Sequence, residues 1–384
     1  MPLAVLAGAI ANKPGNGGEA WVRLNWLRGL RRLGWEVLFV ERLAGPVDPV
    51  ALRHLEAAMA EHGLGGRWAL LDERGATVAG LSRREVDAMA AEAEVLFNHS
   101  GHLPAGPLRD APRSRVYVDL DPAFTQIWAA DPALAFSVGG HDRHVTVGLA
   151  IGSGDCRLPS GGVGWIPTPP PVVLDLWPPS PLPTGGPLRF TTVATWRSPY
   201  GGLSVEGRPA GGKHHEFRRI LDLPGRVEGA TFELALDIHA GDVADLDALR
   251  DAGWEVVAPG QVAATPAAFA AYIRGSGAEF SAAQGAYVAS RCGWFSDRTA
   301  AYLAGGRPAL VQDTGVDAAL PVGEGLLAFA DLAGAEEGAR RLLADPAGHA
   351  EAAAALARSH LDSDLVLGNL LERLGLGSLV APVS

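Results

Sequence analysis

The hydrophobic and polar positions of this chain fall into two alternating kinds of block. Short apolar runs of strand length are separated by longer segments with helical periodicity. Residues 3–10 form the first apolar run and predict a buried strand. Residues 12–18 are a glycine-rich loop, 19–33 a helix ended by Gly34, and 35–41 a second strand. This strand–loop–helix–strand order opens a doubly wound α/β domain. Helices follow at 48–63 and 82–93. In the second, Ser82 with Glu85 three residues on makes a capping box. Strands are predicted at 94–98 and 115–120, with 144–151 as the last strand of this domain.

Nine prolines then fall between 167 and 187. Proline lacks the amide donor and fixes its backbone, so no regular element is expected there. The alternation restarts at 188. Strands are predicted at 188–194, 231–237, 254–258, 278–281 and 308–312. Helices are predicted from 213, at 242–252, at 265–275 with Thr265 as its cap, and at 296–304. Two more, 335–343 and 349–374, close the chain. The expected organisation is a domain over 1–170, a proline-rich connector over 171–187 and a second domain over 188–384. The fold class is α/β, with two Rossmann-like doubly wound domains facing a central cleft.

Composition sharpens this picture in a few places. At 384 residues and 48% hydrophobic, the chain can fill two cores. No apolar run reaches the roughly 18 residues of a membrane span. The first residues read as a strand and not as a leader. Two distant cysteines, Cys156 and Cys292, make neither a disulfide framework nor a Cys-x-x-Cys metal site, which fits a reducing cytoplasm. A net charge of −11 argues against a nucleic-acid partner. Gly15, Gly17 and Gly18 are not at dinucleotide-fingerprint spacing, so no nicotinamide cofactor is expected. Of 32 basic residues only Lys13 and Lys213 are lysines, a bias that a GC-rich genome produces. Both stand in glycine-rich loops after predicted strands, where an ammonium can meet a phosphate or a sugar hydroxyl.

The densest chemistry lies in 279–315. Gly293 permits a tight turn, Ser296 is a good N-cap, and Asp297 sits in the first helical turn. Gly305 and Gly306 end that helix and Pro308 opens a buried strand. A glycine turn thus delivers a helix N-terminus at the carboxyl end of a strand, where backbone amides bind a diphosphate. Arg291 and Arg298 stand nearby in sequence. Asp313, Thr314 and Gly315 form the loop after the next strand.

This segment resembles the nucleotide-sugar site of GT-B-type glycosyltransferases. Phe295-Ser296 stands where many of them have Phe-Gly, and Gly306-Arg307-Pro308 matches their Gly-x-Pro. Cys292-Gly293-Trp294 resembles the Cys-Gly-Trp of the branch that glycosylates small molecules. The resemblance implies that Ser296 and Asp297 supply amides to the donor diphosphate and that Lys213 adds charge, beside the charge that Arg291 and Arg298 can add from their closeness in sequence. Asp313 and Thr314 would face the donor sugar, and Pro259 and Gly260 the base. It also implies a C-terminal helix crossing back to the first domain, and a nucleotide-diphosphate sugar, such as a UDP-sugar, as co-substrate with no tightly bound cofactor or metal. Two positions depart from the pattern. Ala301 stands where relatives hold the ribose with glutamate, and Arg291 where the Cys-Gly-Trp branch has histidine.

Inverting transfer needs a base for the acceptor hydroxyl. The candidates are His99, Asp119 and Asp121, each at a predicted strand end. The loop with Lys13, Gly17 and Gly18 would border the acceptor. Trp21, Trp26, Phe124 and Trp128 are the aromatic residues available to an apolar acceptor pocket. His99/His102 and His141/His144 share a three-residue spacing, but loop histidines are common and no metal is assigned. The helix at 21–33 carries four arginines beside tryptophans. A first Rossmann helix against its sheet explains them better than a membrane surface does. The expected function is that of a bacterial glycosyltransferase acting on a small-molecule acceptor of natural-product type, with inversion. The alternatives are transfer to a glycan or lipid-linked acceptor, a catalytically silent sugar-nucleotide binder, and a sugar-nucleotide epimerase.

Overall fold

The protein is described by a computed structural model covering residues 1–131, 138–198 and 203–379. In chain order its first elements are β1 (Leu3–Ala7), α1 (Gly17–Arg32), β2 (Glu36–Arg42), α2 (Pro49–Glu61), β3 (Trp68–Leu71), β4 (Thr77–Gly80) and α3 (Arg83–Glu92). Then come β5 (Val95–His99), α4 (Pro107–Asp110), β6 (Ser114–Asp119), α5 (Phe124–Ala130), β7 (Arg143–Thr146) and β8 (Trp165–Pro167). The second series is β9 (Leu188–Thr195), β10 (Leu203–Val205), β11 (Arg208–Ala210), α6 (Lys213–Arg219), β12 (Ala230–Asp237), α7 (Val243–Asp251), β13 (Glu255–Val257), α8 (Pro259–Val262) and α9 (Pro266–Arg274). It ends with β14 (Ala278–Ser281), α10 (Gly285–Ser290), α11 (Asp297–Ala304), β15 (Ala309–Gln312), β16 (Leu326–Phe329), α12 (Leu332–Ala344), α13 (Pro346–His360) and α14 (Ser363–Arg373).

The chain folds into two compact units. One comprises Met1–Val147, Pro159–Val173 and Asp362–Ser384, the other Gly148–Leu158 and Leu174–Leu361. The first unit holds an eight-stranded sheet in the order β4-β3-β2-β1-β5-β6-β7-β8, parallel except for β4. β1 pairs with both β2 and β5, so the strand order reverses there. On one face Val5, Leu38 and Leu96 pack with Val86 and Ala90 of α3. α1 is buried on most of its surface, including Arg23 and Trp26. Its Gly29 admits α14: a Cβ there would lie 2.6 Å from a Leu367 methyl. Arg28 and Arg31 donate to the carbonyls of His62 and Gly63 just beyond α2, and Arg32 pairs with Asp364. The arginines of α1 are therefore taken up by the fold itself.

The second unit holds six parallel strands in the order β13-β12-β9-β14-β15-β16, reversing between β9 and β14. This is the 3-2-1-4-5-6 Rossmann order. Its core is aromatic, with Phe190 stacked on Phe232 and Phe280 on Phe329 at 4.9 and 5.2 Å between ring centres. Arg307 of this unit is wholly buried. Its guanidinium donates to the carbonyls of Ser180, Pro181, Arg274, Gly305 and Gly306, and to the Ser180 hydroxyl. The carbonyl ends of α9 and α11 converge on this one cation, and the proline-rich segment is tied to it.

Several local expectations change. β1 ends at Ala7 and not at 10, because the backbone beyond it turns to meet Glu41. The strand expected over 144–151 stops at Thr146. The sheet then gains β8, while residues from Gly148 join the second unit. Leu149 and Ala150 there donate to the carbonyls of Gly293 and Cys292. The proline-rich stretch keeps some regular structure, a short helical turn at Leu174–Leu176. The single helix expected over 349–374 is two, broken where Asp362 caps α14 by accepting from the Asp364 amide.

Candidate functional site

Ligands of doubly wound domains bind at the carboxyl ends of the strands, where the order reverses. In the first unit that place lies beyond β1 and β5. Glu41, at the end of β2, is buried and turned onto the loop after β1. Its carboxylate accepts from the amides of Ile10, Ala11 and Asn12 at 2.6–2.8 Å. Burial raises its pKa, and those amides oppose the rise. In dinucleotide enzymes an acid at about this place holds the ribose; here it is spent on backbone.

Asn16 caps α1, accepting from the Glu19 amide, and Glu19 pairs with the buried Arg23. Gly17 and Gly18 form the first residues of α1, with Lys13 exposed on the loop before it. Gly8 leaves room for Arg23: a Cβ there would stand 2.9 Å from its Nε. His102 lies in the field of Arg23, Glu19 and Lys13, and burial with Arg23 lowers its pKa to about 4. His99 is fully buried edge-on to Trp26, at 5.0 Å between ring centres, and burial holds it neutral.

Asp119 is fully buried at the end of β6. Its carboxylate accepts from the Thr125 and Thr146 hydroxyls, the Gln126 amide and the Asp121 backbone at 2.6–3.0 Å. Four donors on an enclosed carboxylate make a bracket joining β6, β7 and α5. Asp121 is partly exposed on the turn that follows. Trp21, Trp26 and Phe124 are core residues, and Trp128 is half-buried. His141 and His144 both approach the Val138 carbonyl and pack with Tyr117.

The second unit assembles the segment of densest chemistry. Gly293 has φ +70°, and a Cβ there would lie 2.4 Å from the Ala150 amide nitrogen. Ser296 caps α11, its hydroxyl accepting from the Arg298 amide at 3.2 Å. Asp297 opens the helix. A pocket at this end is lined by Ser281, Ala283, Trp294, Ser296, Thr299 and Gln312 among others. The loop after β15 is laced to the turn before α11. Gly293 donates its amide to the Thr314 carbonyl at 2.7 Å, and the Thr314 hydroxyl donates to the Trp294 carbonyl at 2.8 Å. The structure thus brings Ser296, Asp313 and Thr314 into one assembly.

Arg291 and Arg298, on either side of the turn before α11, are engaged within the protein. Arg291 pairs with Asp313 at 2.9 Å and reaches Asp317 at 3.6 Å. Arg298 turns inward to Glu279, Ser281 and the Val193 carbonyl, all at 2.6–2.7 Å. Both brace the turn. Lys213 opens α6, with its amide donating to Gln284 at 2.8 Å. Gly201 and Gly202, in the loop before it, lie outside the described residues. Pro259 and Gly260 begin α8, just after the edge strand β13. Gln284, Gln312 and Glu216 knit β14, β15 and α6 together and were not singled out from sequence. Their partners are 29 to 96 residues away, so no local spacing marks them.

No family model matches the sequence, and no curated protein does. Solved structures do. HepE of Anabaena, in complex with UDP and glucose, superposes with a TM-score of 0.59 at 12% identity, over 98% of this chain and 100% of that one. Sucrose-phosphate synthase of Thermosynechococcus elongatus gives 0.57 at 11%, over 98% and 99%. A glycosyltransferase involved in avilamycin A biosynthesis gives 0.53 at 14%, over 97% of each. The chain has the GT-B-type fold of two Rossmann-like units that these glycosyltransferases share.

Proposed function

We propose that this protein is a glycosyltransferase that moves a sugar from a nucleoside diphosphate sugar to a hydroxyl of a small-molecule acceptor of natural-product type, with inversion. One observation carries the proposal. The Gly293 turn delivers the capped N-terminus of α11 to a pocket at the ends of β14 and β15, with the Asp313–Thr314 loop tied alongside. Helix N-termini favour negative charge through their amides and dipole. The backbone at Ser296 and Asp297 then takes the diphosphate, with Lys213 as its cation. The backbone at Pro259 and Gly260 takes the base, and the loop at Asp313 and Thr314 takes the sugar. Arg291 and Arg298 hold the turn in place and do not touch phosphate.

On the acceptor side, Asp119 and His99 are enclosed, and Asp121 is the partly exposed member of the three base candidates. We assign it the base, with Lys13, Gly17 and Gly18 bordering the acceptor. Inversion is favoured because many retaining relatives use a Glu-containing motif, and no glutamate lies between Glu279 and Glu324. A second reading, a silent sugar-nucleotide binder, rests on Ala301, a buried alanine in place of the ribose-holding glutamate.

Thermal shift against UDP-, GDP- and dTDP-sugars tests donor binding, and a shift with none of them contradicts both readings. Nucleotide release into solution separates a transferase from a binder. For the transferase, Asp121→Asn lowers kcat by roughly 10²–10⁴, as loss of a general base does. The anomeric configuration of the product decides inversion.

A further inference from the structure

We propose that Gln312 is a positioning residue of the donor site, fixing the loop after β14 and the start of α6 so that Lys213 and the α11 N-terminus hold their places. The proposal rests on the donor-site assignment above and adds to it a side chain outside the phosphate-binding backbone. Gln312 is the last residue of β15 and is buried. Its Oε1 accepts from the Ala283 amide at 3.0 Å, and its Nε2 donates to Glu216 Oε2 at 2.7 Å. One amide group therefore links three elements, accepting from one neighbour and donating to the other. A carboxylate has no donor and an aliphatic side chain has neither function.

The same seam is closed by two further contacts. Gln284 accepts from the Lys213 amide at 2.8 Å. At Gly285 a Cβ would stand 2.4 Å from the Gly211 carbonyl oxygen, so backbone meets backbone there. Gln312 also lines the pocket at the α11 N-terminus, together with Ser281, Ala283 and Ser296. The titratable and charged groups on the elements packed here are Lys213, His214, His215, Glu216, Arg218 and Arg219 of α6, with Arg219 3.4 Å from Glu216, Glu279 of β14 held by Arg298, and Asp313 next along the chain, paired with Arg291.

The distinguishing test uses the donor–acceptor pattern. In Gln312→Glu a second carboxylate faces Glu216, and one of the two must take a proton for the contact to survive. In the doubly substituted Gln312→Glu, Glu216→Gln the roles are exchanged and the contact is restored. The measurement is the Kd of UDP, with GDP and dTDP as further arms, by calorimetry on the full chain at pH 8 and pH 6. The wild type sets the reference at each pH, because the terminal phosphate of the nucleotide itself takes up a proton at about pH 6, and each variant is read relative to it. Gln312→Glu should bind about tenfold more weakly at pH 8, a loss of about 1.4 kcal/mol, and recover most of that at pH 6. The exchanged pair should bind within about threefold of wild type at both.

An unchanged Kd in Gln312→Glu at pH 8 overturns the positioning role, as does an exchanged pair as weak as the single substitution. If Gln312→Glu does not fold, the exchanged pair alone decides, by its Kd. Failure of the wild type to bind any of the three nucleotides overturns the donor-site assignment itself, and is distinct from either result.

Discussion

Arg307 offers the sharpest stability prediction. It is the middle residue of Gly306-Arg307-Pro308 and has no exposed surface. Four of its contacts are 3.1 Å or shorter: the Ser180 carbonyl and hydroxyl, the Pro181 carbonyl and the Arg274 carbonyl. Hydrogen bonds to a charged group contribute about 1.5–3 kcal/mol each, and such contributions are not additive. Removing the arginine returns part of the cost of burying a cation but orphans those carbonyls. The convergence of the α9 and α11 carbonyl ends adds a favourable field for the charge. The balance is a loss of about 4 kcal/mol for Arg307→Met. For a body of this size that corresponds to a Tm lower by roughly 8–16 °C. Lysine reaches fewer of the acceptors, so Arg307→Lys should cost about 2 kcal/mol. Calorimetric melting and denaturant titration read both. A loss below about 1 kcal/mol for the methionine would refute the view that this cation staples the proline-rich segment to two helix ends.

Further predictions come from other contacts. Arg298→Leu leaves Glu279 buried without its 2.6 Å partner, and should cost about 3–5 kcal/mol by denaturant titration. An Arg298→Leu protein as stable as wild type would show that the pair does not brace α11. Gly29→Leu drives a side chain into Leu367 and Ser363, and should cost about 1–3 kcal/mol by separating α14 from α1. An unchanged melt would contradict that packing. Stability should fall as pH drops from about 6.5 toward 4. Eight histidines, 54, 62, 99, 102, 141, 144, 214 and 349, have pKa values lowered chiefly by burial, to about 4 at His62 and His102. In that window the unfolded chain takes up protons that the folded chain refuses. Glu41 and Asp119, raised by burial, act in the opposite direction but are only two. A Tm at pH 5 equal to or above that at pH 7.5 would contradict this balance.

What the sequence made legible was local. The continuous apolar run of β1, the Gly34 stop, the Ser82 capping box and the Ser296 cap each depend on residues within one turn of one another, and each is present. The hairpin of β3 and β4 leaves no such periodic mark, because its strands have four residues each. A signal existed at Asp72, whose carboxylate takes the amides of Arg74 and Ala76 in the turn. β16 is equally short.

The site divides the same way. The glycine turn and the helix cap could be read along the chain. The commitments of Arg298 to Glu279, 19 residues back, and of Asp119 to Thr146, 27 residues on, could not. Nearness in sequence suggested that Arg291 and Arg298 serve the phosphates; tertiary pairing gives them carboxylate partners. The direction of a side chain is set by what packs across from it, and spacing does not carry that information.

The central claim is that α11 presents its N-terminus to a donor diphosphate. A crystal structure of the full chain with whichever of UDP, GDP or dTDP gives the largest thermal shift tests it most directly. The account predicts the diphosphate within hydrogen-bonding distance of the backbone at Ser296 and Asp297, with Lys213 beside it. A nucleotide bound instead at the loop between β1 and α1, with the α11 end vacant, would contradict it.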